Sequence, residues 1–326
     1  MRALVLGGCG FVGSHLVEEL LCAGHQVAVF DRSVMPLDLA PLRVTHFQSD
    51  LSNTTLLRTA LLNTDVVYHL ASSSVPHTSQ RNPLQDIQDN LKDMARLLKA
   101  MRATDCRRII YFSSGGTVYG ESTVEKIDET HPLAPISAHG MMKVAVERYL
   151  RQGSSRRSID AIILRVANAY GPRQGKTGVQ GFINTCLHHA LRSEPINIWG
   201  DGSAVRDYVY VKDVAQLARI AGESSLSEGT FNVGTSHGTS LNQVVNLVSE
   251  IRGFDLKMRH HMARSYDVLR NILSITNAKN QFSWSPTMAL EHGIQELFED
   301  LANRVSPAAK APARKHRSLQ AVPTGY

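Results

Sequence analysis

Three features of the sequence predict an α/β fold built on a doubly wound parallel sheet for this chain of 326 residues. Residues 2–32 hold a strand, a glycine loop, a helix and a second strand that ends in an acid. Apolar strand-like runs then alternate with helical patterns as far as about residue 164. Such alternation means parallel strands joined by right-handed crossovers. The loops that follow the strands are small or polar, as a ligand at the carboxyl edge of such a sheet requires.

Ala3-Leu4-Val5-Leu6 is a short apolar run of the kind shown by a strand buried on both faces. Gly7, Gly10 and Gly13 recur at every third residue, with Phe11 and Val12 among them, and lead into a helix predicted over 14–23. Glycine lets the backbone turn sharply, approach a pyrophosphate and pack the helix close to the strand, while the helix N-terminus offers free N–H groups and a positive dipole end. Gln26 to Phe30 is the next buried strand, and Asp31 stands at its end, 18 residues after Gly13. A carboxylate there accepts from a ribose 2′-OH and repels a 2′-phosphate, which favours NAD over NADP; Arg32 beside it pulls the other way. Further strands are predicted at 44–47, 66–70, 109–112 and 162–164. The edge loops are Ser49-Asp50-Leu51, Ala71-Ser72 and the run from Ser113 to Gly120. In a helix predicted over 84–101, Ile87, Leu91, Met94, Leu98 and Met101 form a core or subunit-contact face, interrupted by Asn90.

A composition 43% hydrophobic and 20% charged is that of a soluble globular enzyme. The net charge of +6 comes mostly from the end of the chain, where Arg304, Lys310, Arg314, Lys315 and Arg317 follow the last acid, Asp300. Without them the body has 30 bases against 29 acids, so nucleic acid is not an expected partner, and 304–326 reads as a disordered basic tail. Cys9, Cys22, Cys106 and Cys186 are scattered, without metal or disulfide spacing, which suits a reducing compartment. There is no apolar run long enough for a membrane span or signal segment, so a cytoplasmic protein is expected. His188-His189 and His260-His261 lack a third ligand at metal spacing, and no metal is expected.

GGCGFVGSHL, the Asp31 ending, SDL, YHLAS, Asn90, FSSGGTVYG, LRVANAYGPRQ, IWGDGSAVRDYVYVKDVA, FNVGT and Arg264-Ser265-Tyr266-Asp267 together resemble the extended short-chain dehydrogenase/reductase family, in its sugar-nucleotide branch of the UDP-glucose 4-epimerase type. The resemblance covers about residues 1 to 300. It implies a Rossmann domain over 1–165, rejoined by the chain around 207–235, that holds NAD, and a smaller C-terminal α/β domain over 166–303 for a nucleoside-diphosphate sugar, UDP-linked. Carried over by position, the cofactor contacts would be the glycine loop with Phe11 and Val12, Asp31 and Arg32 at the adenosine ribose, Asp50 and Leu51 at the adenine, and Leu70, Ala71, Asn90, Ser113 and Lys143 along the rest. Asn168 would contact the sugar nucleotide, Arg206 and Arg264 its diphosphate, and Asp267 its ribose. The family habit also implies a homodimer, with the helices around 84–101 and 139–150 paired across a two-fold axis.

The catalytic stretch departs from that family. Its pattern is Tyr-x-x-x-Lys, in which residues four apart share a helix face and the ammonium lowers the phenol pKa. Here Lys143 is present, the tyrosine position is His139, and the position of the assisting Ser or Thr is Gly115, flanked by Ser114 and Thr117 as candidate substitutes. An imidazole with an ordinary pKa of about 6.5 is already a base at neutral pH, so His139 is chemically able to take a proton from a sugar hydroxyl. It reaches less far than a phenol, so the substrate or a water must close the gap. The expected activity is NAD-dependent 4-epimerisation through a 4-keto sugar. The alternatives are a dehydratase, reductase or decarboxylase on the same scaffold, or a catalytically impaired protein that binds NAD and a nucleotide sugar. Gly115-Gly116 in place of an acid pair counts against a 4,6-dehydratase.

Overall fold

A computed structural model describes residues 1–36, 39, 44–72, 79, 82–155, 159–175, 181–264 and 267–305. The tail from 306 onward, most of the 176–181 loop expected to shape the sugar pocket, and Ser265 and Tyr266 lie outside the described residues. Within them, seven parallel strands form one sheet: β1 (Arg2–Leu6), β2 (Gln26–Asp31), β3 (Thr45–Gln48), β4 (Val66–His69), β5 (Arg108–Ser114), β6 (Asp160–Val166) and β11 (Gly229–Val233), in the order β11-β6-β5-β4-β1-β2-β3. The order reverses between β1 and β4, and a crevice opens at the carboxyl ends of strands that diverge in this way.

Alternation along β1 sends its side chains to two cores. Ala3 and Val5 face α1 (Phe11–Cys22) and α6 (Val211–Glu223), packed with Leu16, Leu20, Val214 and Leu217. Leu4 and Leu6 face α2 (Thr54–Leu61), α3 (Pro83–Arg102) and α4 (Ala138–Ser155), packed with Leu57, Met94, Leu98, Met142 and Val146. Met94, Leu98 and Met101, three of the five apolar positions read in α3, are therefore core, and Ile87 and Leu91 pack at its margin.

Between β6 and the return to the sheet, β7 (Asn168–Tyr170), α5 (Phe182–Arg192), β8 (Ile196–Trp199), β9 (Val205–Arg206) and β10 (Tyr208–Tyr210) begin a second body. It is completed by β12 (Thr239–Ser240), α7 (Leu241–Arg252), β13 (Met258–His261), β14 (Arg270–Asn271) and α9 (Leu290–Val305), around a core that includes Ile183, Leu187, Ile198, Val244, Ile294 and Leu297. The helix α8 (Thr276–Phe282) packs back on the sheet through Ala278 and Phe282.

Several boundaries differ from the sequence reading, in three elements by more than one residue. The helix expected from residue 14 starts at Phe11, so Gly13 lies inside it. A Cβ on Gly13 would stand 2.1 Å from Gly7 O, and this close helix-to-loop approach outweighs the roughly 1 kcal/mol that glycine costs within a helix. β5 and β6 run past their apolar centres, since Ser113 and Ser114 continue the ladder opposite Arg165 and Val166.

Candidate active site

The glycine loop sits at the switch point. Gly7 has φ +85°, and a Cβ there would lie 2.8 Å from the backbone nitrogen of Ala71, so the loops that follow β1 and β4 touch only because residue 7 has no side chain. Gly10 caps α1 without a side-chain hydrogen bond, and the first N–H groups of the helix face the loop. Asp31 has two roles: Oδ2 accepts from Cys9 N at 3.0 Å and Oδ1 from Ser33 N at 2.8 Å. A carboxylate with about four acceptor positions has capacity left for a ribose diol. Arg32 and Asp50 are exposed, Leu51 is buried, and Leu70, Ala71, Phe11 and Val12 are half-buried along the crevice. Asn90 Nδ2 donates to the carbonyl and to Oδ1 of Asp86, and its Oδ1 accepts from Ser72. These residues fit an adenine dinucleotide laid across the crevice, its pyrophosphate at the start of α1 and its ribose at Asp31.

Across the crevice stands α4. Its first turn is capped by Ser137, whose hydroxyl accepts from Gly140 N at 3.2 Å. Spacing by four then places His139, Lys143 and Glu147 on one face, all buried. Lys143 Nζ donates to Phe112 O at 2.9 Å and lies 5.0 Å from the centre of the Tyr111 ring. Burial brings its pKa down to about 8, against the opposing pull of the Glu147 and Asp86 carboxylates. Burial, and then the Lys143 charge, brings His139 down to about 3, so the imidazole is neutral throughout the physiological range. Among the described residues His139 Nδ1, which is buried, has no hydrogen-bond partner, and neither has Thr117 Oγ1.

Gly115 is glycine for a packing reason. A Cβ on it would meet Leu273 Cδ1 at 2.5 Å and Arg165 O at 2.9 Å, so an assisting hydroxyl has no room there. At Gly116 a Cβ would meet only the Asn168 amide, at 3.8 Å or more. Ser113 is turned away from the crevice: its hydroxyl donates to Glu147 Oε1 at 2.5 Å. Ser114 is half-buried, and its carbonyl receives the N–H groups of Thr117 and Val118.

In the second body, Asn168 Nδ2 donates to Asp207 O at 3.2 Å. Arg206 holds the carbonyls of Val205 and Leu269, and Arg264 lies over the Trp199 ring at 3.7 Å. Among the described residues neither arginine has a carboxylate within ion-pair distance, so both charges are available to an anion. Asp267 N donates to Arg264 O. His260 Nδ1 contacts Gly200 O and His261 Nε2 contacts Asn197 Oδ1, each at 2.9 Å, and among the described residues no group of three potential ligands could hold a metal ion.

Four side chains at the site were not singled out from the sequence. Glu147 stands four residues after Lys143, and that spacing could have found it. His69 is fully buried at the end of β4, lowered to about 3 by burial and by Lys143, and packs edge-on against Tyr111. Tyr111 and Trp199 carry no local signal beyond their aromatic character.

Comparison with known proteins places this geometry. The model of the NAD dependent epimerase/dehydratase family matches residues 3–234. A UDP-glucose 4-epimerase of Mycolicibacterium smegmatis is 33% identical over 319 residues, which cover 93% of this chain and 99% of the relative. Among solved structures, the UDP-glucose 4-epimerase of Thermotoga maritima with UDP-glucose superposes with a TM-score of 0.88 at 34% identity, covering 94% of this chain and 100% of the other. That of Thermus thermophilus in complex with NAD gives 0.86 at 32%, covering 93% and 99%. Other relatives differ in reaction, among them a dTDP-4-dehydro-6-deoxyglucose reductase of Escherichia coli at 30% identity over 91% of this chain and 96% of the relative. The fold, the fitted crevice and these matches together show that the chain belongs to the NAD-dependent epimerase/dehydratase family.

Proposed function

We propose that the protein interconverts C4 epimers of a UDP-linked hexose, with His139 as its acid–base group. The observation that carries this reading is the buried, neutral imidazole of His139 one helical turn before Lys143. Bound NAD would supply the two-electron acceptor and donor for the carbon-bound hydrogen. His139 would take the proton of the sugar hydroxyl and return it, directly or through one water, because an imidazole reaches less far than a phenol. Lys143 would hold the nicotinamide ribose and keep His139 unprotonated. Arg206 and Arg264 would neutralise the diphosphate, and Asp267 would take the uridine-side ribose. The exposed Leu84, Met141 and Tyr149 on α3 and α4 suit a two-fold contact with a second copy.

The test is incubation of the purified protein with UDP-glucose, UDP-galactose and their N-acetyl forms, with products read by NMR and bound nucleotide extracted by denaturation. The expected result is epimer formation with NAD recovered, and a fall in kcat of at least about 10²-fold in His139→Ala. Full turnover in that variant would remove His139 from the mechanism. NAD recovered without turnover of any sugar would instead make the chain a binding protein, the reading favoured by the sealed Gly115.

A further inference from the structure

A buried ammonium needs partners that stand in for water, or it sheds its proton. For Lys143 the structure supplies two. One is the carbonyl of Phe112, which accepts at 2.9 Å; the ladder from β4 ends opposite Tyr111, one residue earlier, so this carbonyl lies past its last pair. The other is the ring of Tyr111, whose centre is 5.0 Å from Nζ and whose face carries the negative part of the ring quadrupole. Alternation along β5 sends Tyr111 into the core that faces α4 and Phe112 into the opposite one, so ring and carbonyl come to Nζ from adjoining residues of one strand. The nearby carboxylates are engaged elsewhere, Glu147 with Arg165 and Ser113 and Asp86 with Asn90, and among the described residues neither is within ion-pair distance of Lys143. The imidazoles of His69, which meets Tyr111 edge-on, and of His139, one turn back along α4, are both lowered to about 3 and so do not repel the ammonium. Phe112 takes one of the three N–H groups, and two remain.

We propose that Tyr111 is a positioning residue for Lys143: the face of its ring, together with the Phe112 carbonyl, holds the ammonium in place and leaves two N–H groups for the nicotinamide ribose. This rests on Lys143 gripping that ribose and deepens that reading. A ring face attracts the charged lysine and not the neutral amine, so Tyr111 also opposes the loss of the proton that burial favours. Packing alone would be satisfied by any side chain of this size, whereas the charge requires an electron-rich ring.

The test is an NMR titration of the lysine-labelled full chain with NAD bound, the Lys143 resonance assigned through Lys143→Gln, with kcat/KM on UDP-glucose followed over the same pH range. Tyr111→Phe keeps the ring face and should leave the Lys143 midpoint within about 0.3 pH unit of the wild type. Tyr111→Leu removes the face, and pentafluorophenylalanine at position 111 keeps a ring while reversing its quadrupole. Each should lower the midpoint by about one unit, because losing an attraction for the charged form favours the neutral amine, and the alkaline limb of kcat/KM should move down with it. A pentafluorophenyl protein whose midpoint stays with that of Tyr111→Phe overturns the assignment, and this comparison decides the matter even where Tyr111→Leu fails to fold. If the midpoint follows the ring while no UDP-sugar is turned over, the positioning of Lys143 stands and the epimerase reading falls.

Discussion

His139 departs from the tyrosine of the family pattern, and its surroundings determine how it differs. A phenol at position 139 would need an ammonium to become a base near neutral pH, whereas this imidazole stays unprotonated down to about pH 3. The profile of kcat/KM should therefore be flat from about pH 4 to 7, without an acid limb at the usual histidine value of about 6.5. It should fall on the alkaline side as Lys143, lowered to about 8, loses the proton that grips the ribose. In His139→Tyr the acid side should instead rise with pH, because the phenol must ionise. An acid limb at about 6.5 in the wild type would show that burial does not control the base. Position 139 and its lysine were legible in the sequence through their spacing by four. The Tyr111 face under Lys143, the edge of His69 and the enclosure of Nδ1 were not, because they arise where β4, β5 and α4 converge.

At the scale of elements, the loop after β5 is shaped by a residue 158 positions away. Leu273 fills the space over Gly115, and Asn271 Nδ2 donates to its carbonyl at 3.1 Å. Gly115→Ser should cost about 1–3 kcal/mol in urea unfolding, since the added atom meets a backbone oxygen as well as a side chain. Gly116→Ala should change stability by less than about 0.5 kcal/mol, as its neighbour is at ordinary contact distance. Equal effects at the two glycines would refute this packing account. The strand–loop–helix unit at the start of the chain was readable because its strand, glycine spacing and helix follow one another directly in the sequence. The reason for Gly115 was hidden, because residue type reports that a side chain is missing and not what stands in its place.

Over the whole molecule, a buried network joins α4, the helix of His139 and Lys143, to three strands. Glu147 on α4 accepts from Ser113 on β5 and from Arg165 on β6, at 2.7 Å from Nη2. Arg165 Nη1 donates to Tyr119, whose hydroxyl donates to Asn232 on β11 at 2.6 Å. Glu147→Ala would leave the Arg165 guanidinium buried and uncompensated, so a loss of about 3–5 kcal/mol in unfolding free energy is expected. A loss below about 1 kcal/mol, the range of exposed pairs, would show that water reaches the arginine. The doubly wound order was legible from alternation alone. The return of β11 to the sheet beside β6 was less so, because its five residues carry only a short apolar centre.

The bond from Cys9 N to Asp31 Oδ2 bears on redesign. If Asp31 holds the adenosine ribose as proposed, one carboxylate would both select the nucleotide and brace the backbone of the glycine loop. Exchanging Asp31 to admit a 2′-phosphorylated coenzyme would slacken the phosphate cradle at the same stroke, so any engineered switch of preference must first supply a new acceptor for that amide.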